Sequence, residues 1–533
     1  MDNSVKTPLI SSQETRPTDQ ISENSGSDQP GTSEGYGTGT PQSSIDVAYD
    51  PKRSIGALDG VALILGLQIG SGIFSAPSLV ALNAGSEYAA LLAWFAAGTL
   101  AWCCGLCYIE LSNYIPINGG PQEFLAVCFN DLFGFVAGWA IIFVSKPGSN
   151  AVLALIISDY ICDAAGLPPG EYIIRRKLVA ASLVTFTAVV NCSGNKESTL
   201  LTKFLLACKL MALGFVLAMG FYTLFPISNS NKPAAPHSTQ IDESRVSFGG
   251  FADAMIACMW AYSGWETLSF VAGEIKNPER NIAIVINTSM AVVISLYLLA
   301  NVSYFVVLSF AGVIQSTTVG LTFSKHFLGD AGSIAYTAAI CLSGLGTLNV
   351  KMFTAGRLTQ AAAERQFLPH TLKTIASLDD EIFDSSREET IWRRIFGRLD
   401  RPVLYKDGTI PLSSILFNGL LAIIYAFLGD FRNLVTFLGI VDFTMVLFAL
   451  FGVLRLRQSF SQDSGNPGST TIKQNPVWLV LVAITAVVSM LSSSLSKHPA
   501  TGIGLITFLI VTVTFYKLFI QPKPALEAAD HLA

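Results

Sequence analysis

Charge is what this chain has least of. Asp, Glu, Lys and Arg make up 13% of its 533 residues, against 51% hydrophobic ones. Soluble domains carry roughly a quarter of their residues charged, so an ordinary water-soluble fold is excluded. Histidine is equally sparse, five residues scattered along the chain, and no His, Cys, Asp or Glu spacing suits a metal ion. Nothing has the form of an ATPase phosphate loop. The run Gly35-Tyr36-Gly37-Thr38-Gly39 neither follows a strand nor opens a helix, so it is no dinucleotide fingerprint. No cofactor, metal, enzymatic activity or nucleic-acid partner is expected. Of the nine cysteines, eight lie in or at the edges of apolar stretches and Cys128 lies in a connection. They imply no extracellular disulfide framework and read as small buried hydrophobes.

What is abundant is long apolar sequence, with a mean hydropathy of +0.50. A helix needs about 20 mainly apolar residues to cross a bilayer. Twelve such stretches run over 54–80, 86–112, 132–162, 175–193, 199–225, 249–272, 282–310, 331–355, 410–428, 431–454, 476–494 and 500–519. The first is too long and too internal for a cleaved signal peptide. The chain therefore reads as a polytopic all-α membrane protein whose solvent is the lipid bilayer. Segments on the cytoplasmic side, if both termini are cytoplasmic, carry 22 of the 33 basic residues, which favours that orientation. Arg175, Arg176 and Lys177 go against it. Residues 1–50 hold eight acids against Lys6 and Arg16, and their polar composition predicts a disordered acidic cytoplasmic tail. Residues 51–524 form the membrane domain, and 525–533 a short cytoplasmic tail.

Two places interrupt this pattern. In the first span, Ile69-Gly70-Ser71-Gly72-Ile73 puts two residues without Cβ at mid-membrane, where the backbone can leave the helix. Irregular backbone at that depth is tolerated only when buried in protein or lining a solvated site. In the sixth span, Trp260-Ala261-Tyr262-Ser263-Gly264-Trp265-Glu266 sets small residues within an aromatic cluster, five spans after the first break. Breaks in corresponding positions of two repeats point to a transporter site. Free amides of Ser71, Gly72 and Ile73 at the positive end of a half-helix suit a carboxylate. Carbonyls freed near Ile69 and around Trp260 to Ser263 suit an ammonium group. Trp260, Tyr262 and Trp265 could close over such a zwitterion. The alternative is that the glycines serve helix packing and the aromatics fill the core.

With these residues in hand, the chain resembles the L-type amino acid transporter branch of the amino acid–polyamine–organocation (APC) superfamily over about 50–520. The resemblance rests on Gly70-Ser71-Gly72-Ile73-Phe74, Ile115-Pro116-Ile117-Asn118-Gly119-Gly120, Val190-Asn191-Cys192-Ser193 and Leu206-Ala207-Cys208-Lys209-Leu210. It continues through Ala261-Tyr262-Ser263-Gly264-Trp265, Gly273-Glu274-Ile275-Lys276-Asn277-Pro278, Phe353-Thr354-Ala355-Gly356-Arg357-Leu358 and Glu364-Arg365-Gln366-Phe367-Leu368-Pro369. It implies twelve transmembrane helices in a LeuT-type 5+5 inverted repeat plus two helices, with helices 1 and 6 broken, carrying amino acids by alternating access. The Asn-Gly-Gly and Gly-Glu-Ile-Lys-Asn-Pro forms are most similar to fungal methionine permeases. Vertebrate members of this branch join a single-span glycoprotein through a cysteine after span three. Residues 163–174 hold no cysteine, so no disulfide-linked heavy chain is expected.

Three lysines fall within spans, each costing about 2.5–3.5 kcal/mol at the helix centre on insertion scales. By resemblance, Lys209 occupies the span-five position that faces span one, where sodium-coupled relatives hold their ion. It can couple transport to protons or act as a permanent strut. Lys146 attracts an acidic substrate side chain or pairs with a carboxylate, and Lys351 reaches the cavity or snorkels. Glu266 can neutralise Lys209 or Lys351, contact an ammonium group or relay a proton; Asp442 has no assigned role. Together these readings describe a plasma-membrane secondary transporter for L-α-amino acids, neutral ones by preference, with proton symport the preferred coupling. An obligate exchanger and a non-transporting amino acid receptor are the alternatives.

Overall fold

Helices follow one another almost without interruption, because a chain this apolar must satisfy its backbone polar groups within its own segments. The computed structural model describes residues 55–70, 72–115, 119–167, 172–192, 198–224, 247–364, 367–368, 372, 376–377, 409–410, 412–463 and 475–520. These belong to one compact unit, 50–533. The expected tails, 1–50 and 525–533, lie outside the described residues, as does Ser71.

The first span is two helices, α1 (Ala57–Gln68) and α2 (Gly72–Ala84), set at 49° to one another. After them come α3 (Glu87–Tyr114), the short α4 (Pro121–Cys128), α5 (Asp131–Trp139), a π-helical turn Ala140–Ser145 and α6 (Lys146–Ala164). The chain continues through α7 (Ile173–Cys192), α8 (Ser198–Leu224), α9 (Phe248–Ala261), the single turn α10 (Thr267–Phe270), α11 (Pro278–Gln315) and α12 (Val319–Glu364). A two-residue antiparallel pair, Ala376–Ser377 with Thr409–Ile410, precedes α13 (Leu412–Leu428), α14 (Phe431–Asp463), α15 (Val477–Lys497) and α16 (Pro499–Phe515). Side-chain oxygens cap several starts: Ser86 accepts from the Ala89 amide, Asn130 from Phe133 and Ser247 from Gly250, each satisfying a donor that the first turn leaves free.

Seven of these segments are long and apolar enough to cross a membrane, and the bent α1–α2 pair makes an eighth. Three shorter apolar helices, α9, α13 and α16, supply three more. The twelfth is α7, which opens on Arg175, Arg176 and Lys177. Twelve crossings match the sequence expectation, though several bounds differ. Span eight starts earlier, because α12 includes a leading helix that turns at Gly329 with φ +63°. Span seven runs on past a break at Ser309. The helix α4 falls in a connection that hydropathy alone left blank. The π-helical turn directly precedes Pro147, which has no N–H to give; the Lys146 amide donates to the Ile141 carbonyl, five residues back.

Packing follows a pattern in four of the five cases: span n lies against span n+5, while span five packs instead on spans seven and eight. Helix α2 packs on α9, α3 on α11, α6 on α12, and α7 on α13. These are spans one and six, two and seven, three and eight, and four and nine, as two five-helix repeats related by a pseudo-twofold axis require. Spans eleven and twelve stand outside this pairing. At the end where the chain enters, Ile55 donates to the Glu274 carbonyl and accepts from the Lys276 amide, both at 3.0 Å. The approach to span one is thereby bridged to the exit of span six.

Several charges inside the bundle are paired. Arg176, the main exception to the basic-residue rule, is buried and donates to Asp159 (2.8 Å), Asp163 (2.6 Å) and the Leu167 carbonyl (2.8 Å). Its position is set by span three rather than by topology. Arg457 grips the fully buried Glu110 with two 2.6 Å bonds, and Asn475 adds a backbone donor at 3.1 Å. That pair joins spans two, ten and eleven. Removing one member leaves the other buried and unpaired, which costs about 3–5 kcal/mol. Glu110→Ala is therefore expected to lower the thermal midpoint of the purified protein strongly, while Glu110→Leu with Arg457→Met recovers most of the loss. A wild-type melting profile for Glu110→Ala would show that the pair carries no structural weight.

Candidate functional site

The break in span one is a backbone event. The Ile69 amide still closes a helical bond to Leu65, but the Gly70 amide turns back to the Gln68 carbonyl at 2.7 Å. The Gly66 carbonyl, which Gly70 would engage in a continuous helix, is thereby released. Lys209 Nζ, on α8, takes it at 2.5 Å and also donates to Thr347 Oγ1 of α12 at 2.5 Å. The ammonium is 3% exposed, and among the described residues no carboxylate pairs with it. One lysine thus ties spans one, five and eight together at the break. Beyond the break α2 begins at Gly72, so the amides of Gly72 and Ile73 fall in its first turn, where helix geometry leaves donors free. Ser71 lies outside the described residues.

Span six breaks beside it. Helix α9 ends at Ala261 and α10 begins at Thr267, with Tyr262 to Glu266 in turns between them. Gly264 has φ +126°, and a Cβ there would lie 3.1 Å from Leu67 Cβ, so only glycine fits comfortably against the end of α1. A Cβ on Gly72 would meet Ala261 Cα at 3.2 Å and the Trp260 ring at 3.5 Å. Each break is thus packed against the other, and side chains share the loosened carbonyls. Gln68 Nε2 donates to the Tyr262 carbonyl at 2.9 Å, and Tyr297 Oη donates to the Gln68 carbonyl at 2.5 Å, with the Ala261 carbonyl 3.3 Å away.

The aromatic residues divide into two groups. Tyr262 is fully buried against Trp94 and Tyr297, and its hydroxyl donates to the Trp94 carbonyl. Trp265 packs edge-on to Tyr108 at 4.9 Å. Both are fixed parts of the wall. Trp260 contacts Phe431 edge-on at 5.8 Å, and its indole Nε1 is buried without a protein partner.

Next to Trp260 four charges gather from four spans. Lys146 Nζ lies 3.9 Å from Glu266 Oε1 and 4.6 Å above the Phe270 ring. Glu266 Oε2 also accepts the Gly264 amide at 2.8 Å. Lys351 Nζ donates to Ser149 Oγ at 2.9 Å and lies 6.0 Å from the Trp260 ring centre. Asp442, on α14, has Lys146, Glu266 and Lys351 as its charged neighbours. Two positive and two negative groups gather here, and Lys351 is also a charged neighbour of Lys209. Glu266 therefore faces Lys146, with Lys351 as a further charged neighbour, while the Lys209 ammonium donates to the released carbonyl. Asp442, which the sequence left unassigned, completes this cluster. Gln68, Tyr297 and Thr347 were missed. Their only sequence signal is polarity inside an apolar span, which many satisfied core residues share.

The amino acid permease family profile matches residues 55–515, and the chain belongs to that family. It is 27% identical over 474 residues to the human (Homo sapiens) b(0,+)-type amino acid transporter 1, covering 89% of each chain. Against the human cystine/glutamate transporter it is 28% identical over 473 residues, 89% of this chain and 86% of the relative. The rabbit (Oryctolagus cuniculus) large neutral amino acids transporter small subunit 2 is 27% identical over 477 residues, 89% and 82%. The relatives are transporters, not enzymes, and the chain is a multi-pass membrane protein of the APC superfamily.

The contact between the two breaks makes Gly72 the sharpest probe. Gly72→Val forces a branched side chain onto Ala261 and Trp260 and should reduce amino acid uptake at least tenfold with surface expression near normal. Gly214→Ala, where a Cβ meets nothing within 4 Å, should leave uptake unchanged. Uptake normalised to surface-labelled protein checks both; unaltered kinetics for Gly72→Val would remove the break from the site.

Proposed function

We propose that this permease is a secondary active transporter that carries L-α-amino acids, neutral ones such as methionine, across the plasma membrane by alternating access, with both termini cytoplasmic. The observation that carries this reading is the pair of breaks in direct contact. They join a helix start to a set of loosened carbonyls in one place. The backbone of Ile69, Gly70, Ser71, Gly72 and Ile73 takes the α-carboxylate, while carbonyls around Trp260, Ala261, Tyr262 and Ser263 take the ammonium. Gly264 lets the two spans approach, and Trp265 holds the wall. The indole of Trp260, with a free donor, borders the substrate.

The neutral preference is supported by the balance among Lys146, Lys351, Glu266 and Asp442. A substrate with a charged side chain adds a further charge to this low-dielectric region, and such charges are costly. The Asn118-Gly119-Gly120 and Gly273–Pro278 forms add the resemblance to fungal methionine permeases. Cys162, the cysteine nearest the loop after span three, is 2% exposed, which supports action without a disulfide-linked heavy chain.

Lys209 supplies the coupling. As an ammonium it donates two charge-assisted bonds, holding the end of α1 to α12. A neutral amine makes weaker ones, so proton loss loosens the first half-helix from the span-eight side of the bundle. The full engagement of that ammonium also favours a second reading, a permanent strut in an obligate exchanger. Purified protein in liposomes, empty or preloaded, with labelled methionine or leucine and an inward proton gradient, separates the two. Accumulation in empty vesicles that collapses with the gradient, and loss of pH dependence in Lys209→Ala, are the expected results. Uptake confined to preloaded vesicles would establish exchange, and binding without uptake a receptor.

A further inference from the structure

At the end of the bundle opposite Ile55, a cavity of about 550 Å³ opens among Asn83, Asp253, Arg432, Asn433, Lys497 and His498. These residues come from the end of α2, the start of α9, the start of α14 and the α15–α16 junction. The one acid among them is already engaged. Asp253, 4% exposed, accepts Ser494 at 2.8 Å and Lys497 at 2.7 Å, with His498 Nε2 at 3.2 Å. Asp430, next to the cavity in sequence, caps α14 through the Asn433 amide at 2.9 Å. Arg432 is exposed, and its guanidinium has no carboxylate partner among the described residues. With Lys497 and Arg432 against Asp253, the lining carries one net positive charge. Its unused donors are the Arg432 fork and the remaining hydrogens of Lys497.

The cavity also stands in the right place. Helices α2 and α9 run side by side from its wall to the two breaks. Seven residues separate Asp253 from Trp260, about 10 Å of helix at 1.5 Å per residue. Phe431, adjacent to Arg432, meets the Trp260 ring edge-on. A group held at Arg432 thus lies just beyond the aromatic pair that borders the central site.

We propose that this cavity is a second binding site, a docking station that captures the carboxylate of an amino acid before it reaches the breaks, with Arg432 as its principal ligand. The assignment rests on the transport reading above and adds a site to it. A planar guanidinium matches a carboxylate with two parallel bonds, and a positive cavity mouth raises the local concentration of anionic groups. Asn83 and Asn433 offer neutral partners for the rest of the molecule.

The test uses full-length protein in liposomes and in detergent, with labelled leucine, methionine and glutamate as probes. Arg432→Gln is expected to raise the KM of uptake fivefold or more with Vmax within twofold of wild type, and Arg432→Lys to recover part of that loss. In Gly72→Val protein, where the central site is crowded, residual equilibrium binding of the same probes should persist, and adding Arg432→Gln should abolish it. Amines lacking the carboxylate should not compete for that binding. An unchanged KM in Arg432→Gln, or equal competition by the amines, overturns the proposal. Wild-type protein that transports none of the probes defeats the carrier reading instead, and the binding comparison then decides the cavity by itself.

Discussion

A helix broken inside a bilayer must find partners for the carbonyls and amides it releases, and the rest of this structure is arranged around that requirement. Lipid offers none, and each unsatisfied group costs several kcal/mol. The partners here are side chains from other spans: Lys209 for the Gly66 carbonyl, Tyr297 for Gln68 and Gln68 for Tyr262. Each lies on a helix that crosses near the break, so satisfying the backbone also fixes how spans one, five, six and seven pack. The amides at the start of α2 are the complementary set. On the proposed reading, the same break that makes the fold demanding also supplies the site for the charged ends of an amino acid.

Charge is rationed by a related logic. The chain carries few ionisable side chains in its spans, and nearly every one is committed. Arg176 is held by Asp159 and Asp163, Arg457 by Glu110, and Lys497 by Asp253. These pairs sit toward the ends of the bundle: the first joins neighbouring spans of one repeat, the second joins the two repeats, and the third ties span six to span eleven. Buried pairs of this kind are weak sources of net stability but severe constraints on geometry, since a lost partner leaves a stranded charge. The central cluster differs. Lys146, Glu266, Lys351 and Asp442 share loose contacts, with the closest opposite charges 3.9 Å apart. Long contacts of this kind leave the charges free to re-form around a polar guest, which the tight end pairs do not allow.

Most of this architecture was legible in the sequence because its causes are local. Apolar runs, glycine pairs and small residues in aromatic clusters declared twelve spans and both breaks, and Gly72 and Gly264 now meet Ala261 and Leu67 as close approach requires. Pairings between distant spans were not legible. Nothing near Thr347 says that Lys209, 138 residues away, will donate to it, and nothing around Glu266 says that Lys146 rather than Lys209 faces it. Asn349, Thr347 and Lys351 lie within five residues yet point to Asn191, Lys209 and Ser149. Helical spacing foretold that they diverge, but not toward what. The helix α4 and the π-helical turn before Pro147 escaped for another reason: hydropathy reports depth in the membrane and is blind to local backbone geometry.

These two kinds of constraint bear on how such a bundle can move. Tight junctions join α1 to α12 through Lys209, and Ile55 to the exit of span six through two backbone bonds. Both act on the first half of span one, at the end where the chain enters. The second half-helix is held differently. Helix α2 lies on α9, and the Phe74 carbonyl accepts from Tyr160 at 2.7 Å, but no charge ties α2 across the bundle among the described residues. Opening the entry end would require the lysine contacts and the Ile55 bridge to yield, whereas opening the other end would require α9, with α2 on it, to part from α14 and α15. The first step breaks charge-assisted bonds in a dry environment and the second separates mainly apolar surfaces and the Asp253 group. On the proposed coupling, proton loss from Lys209 would weaken only the first of these sets of contacts.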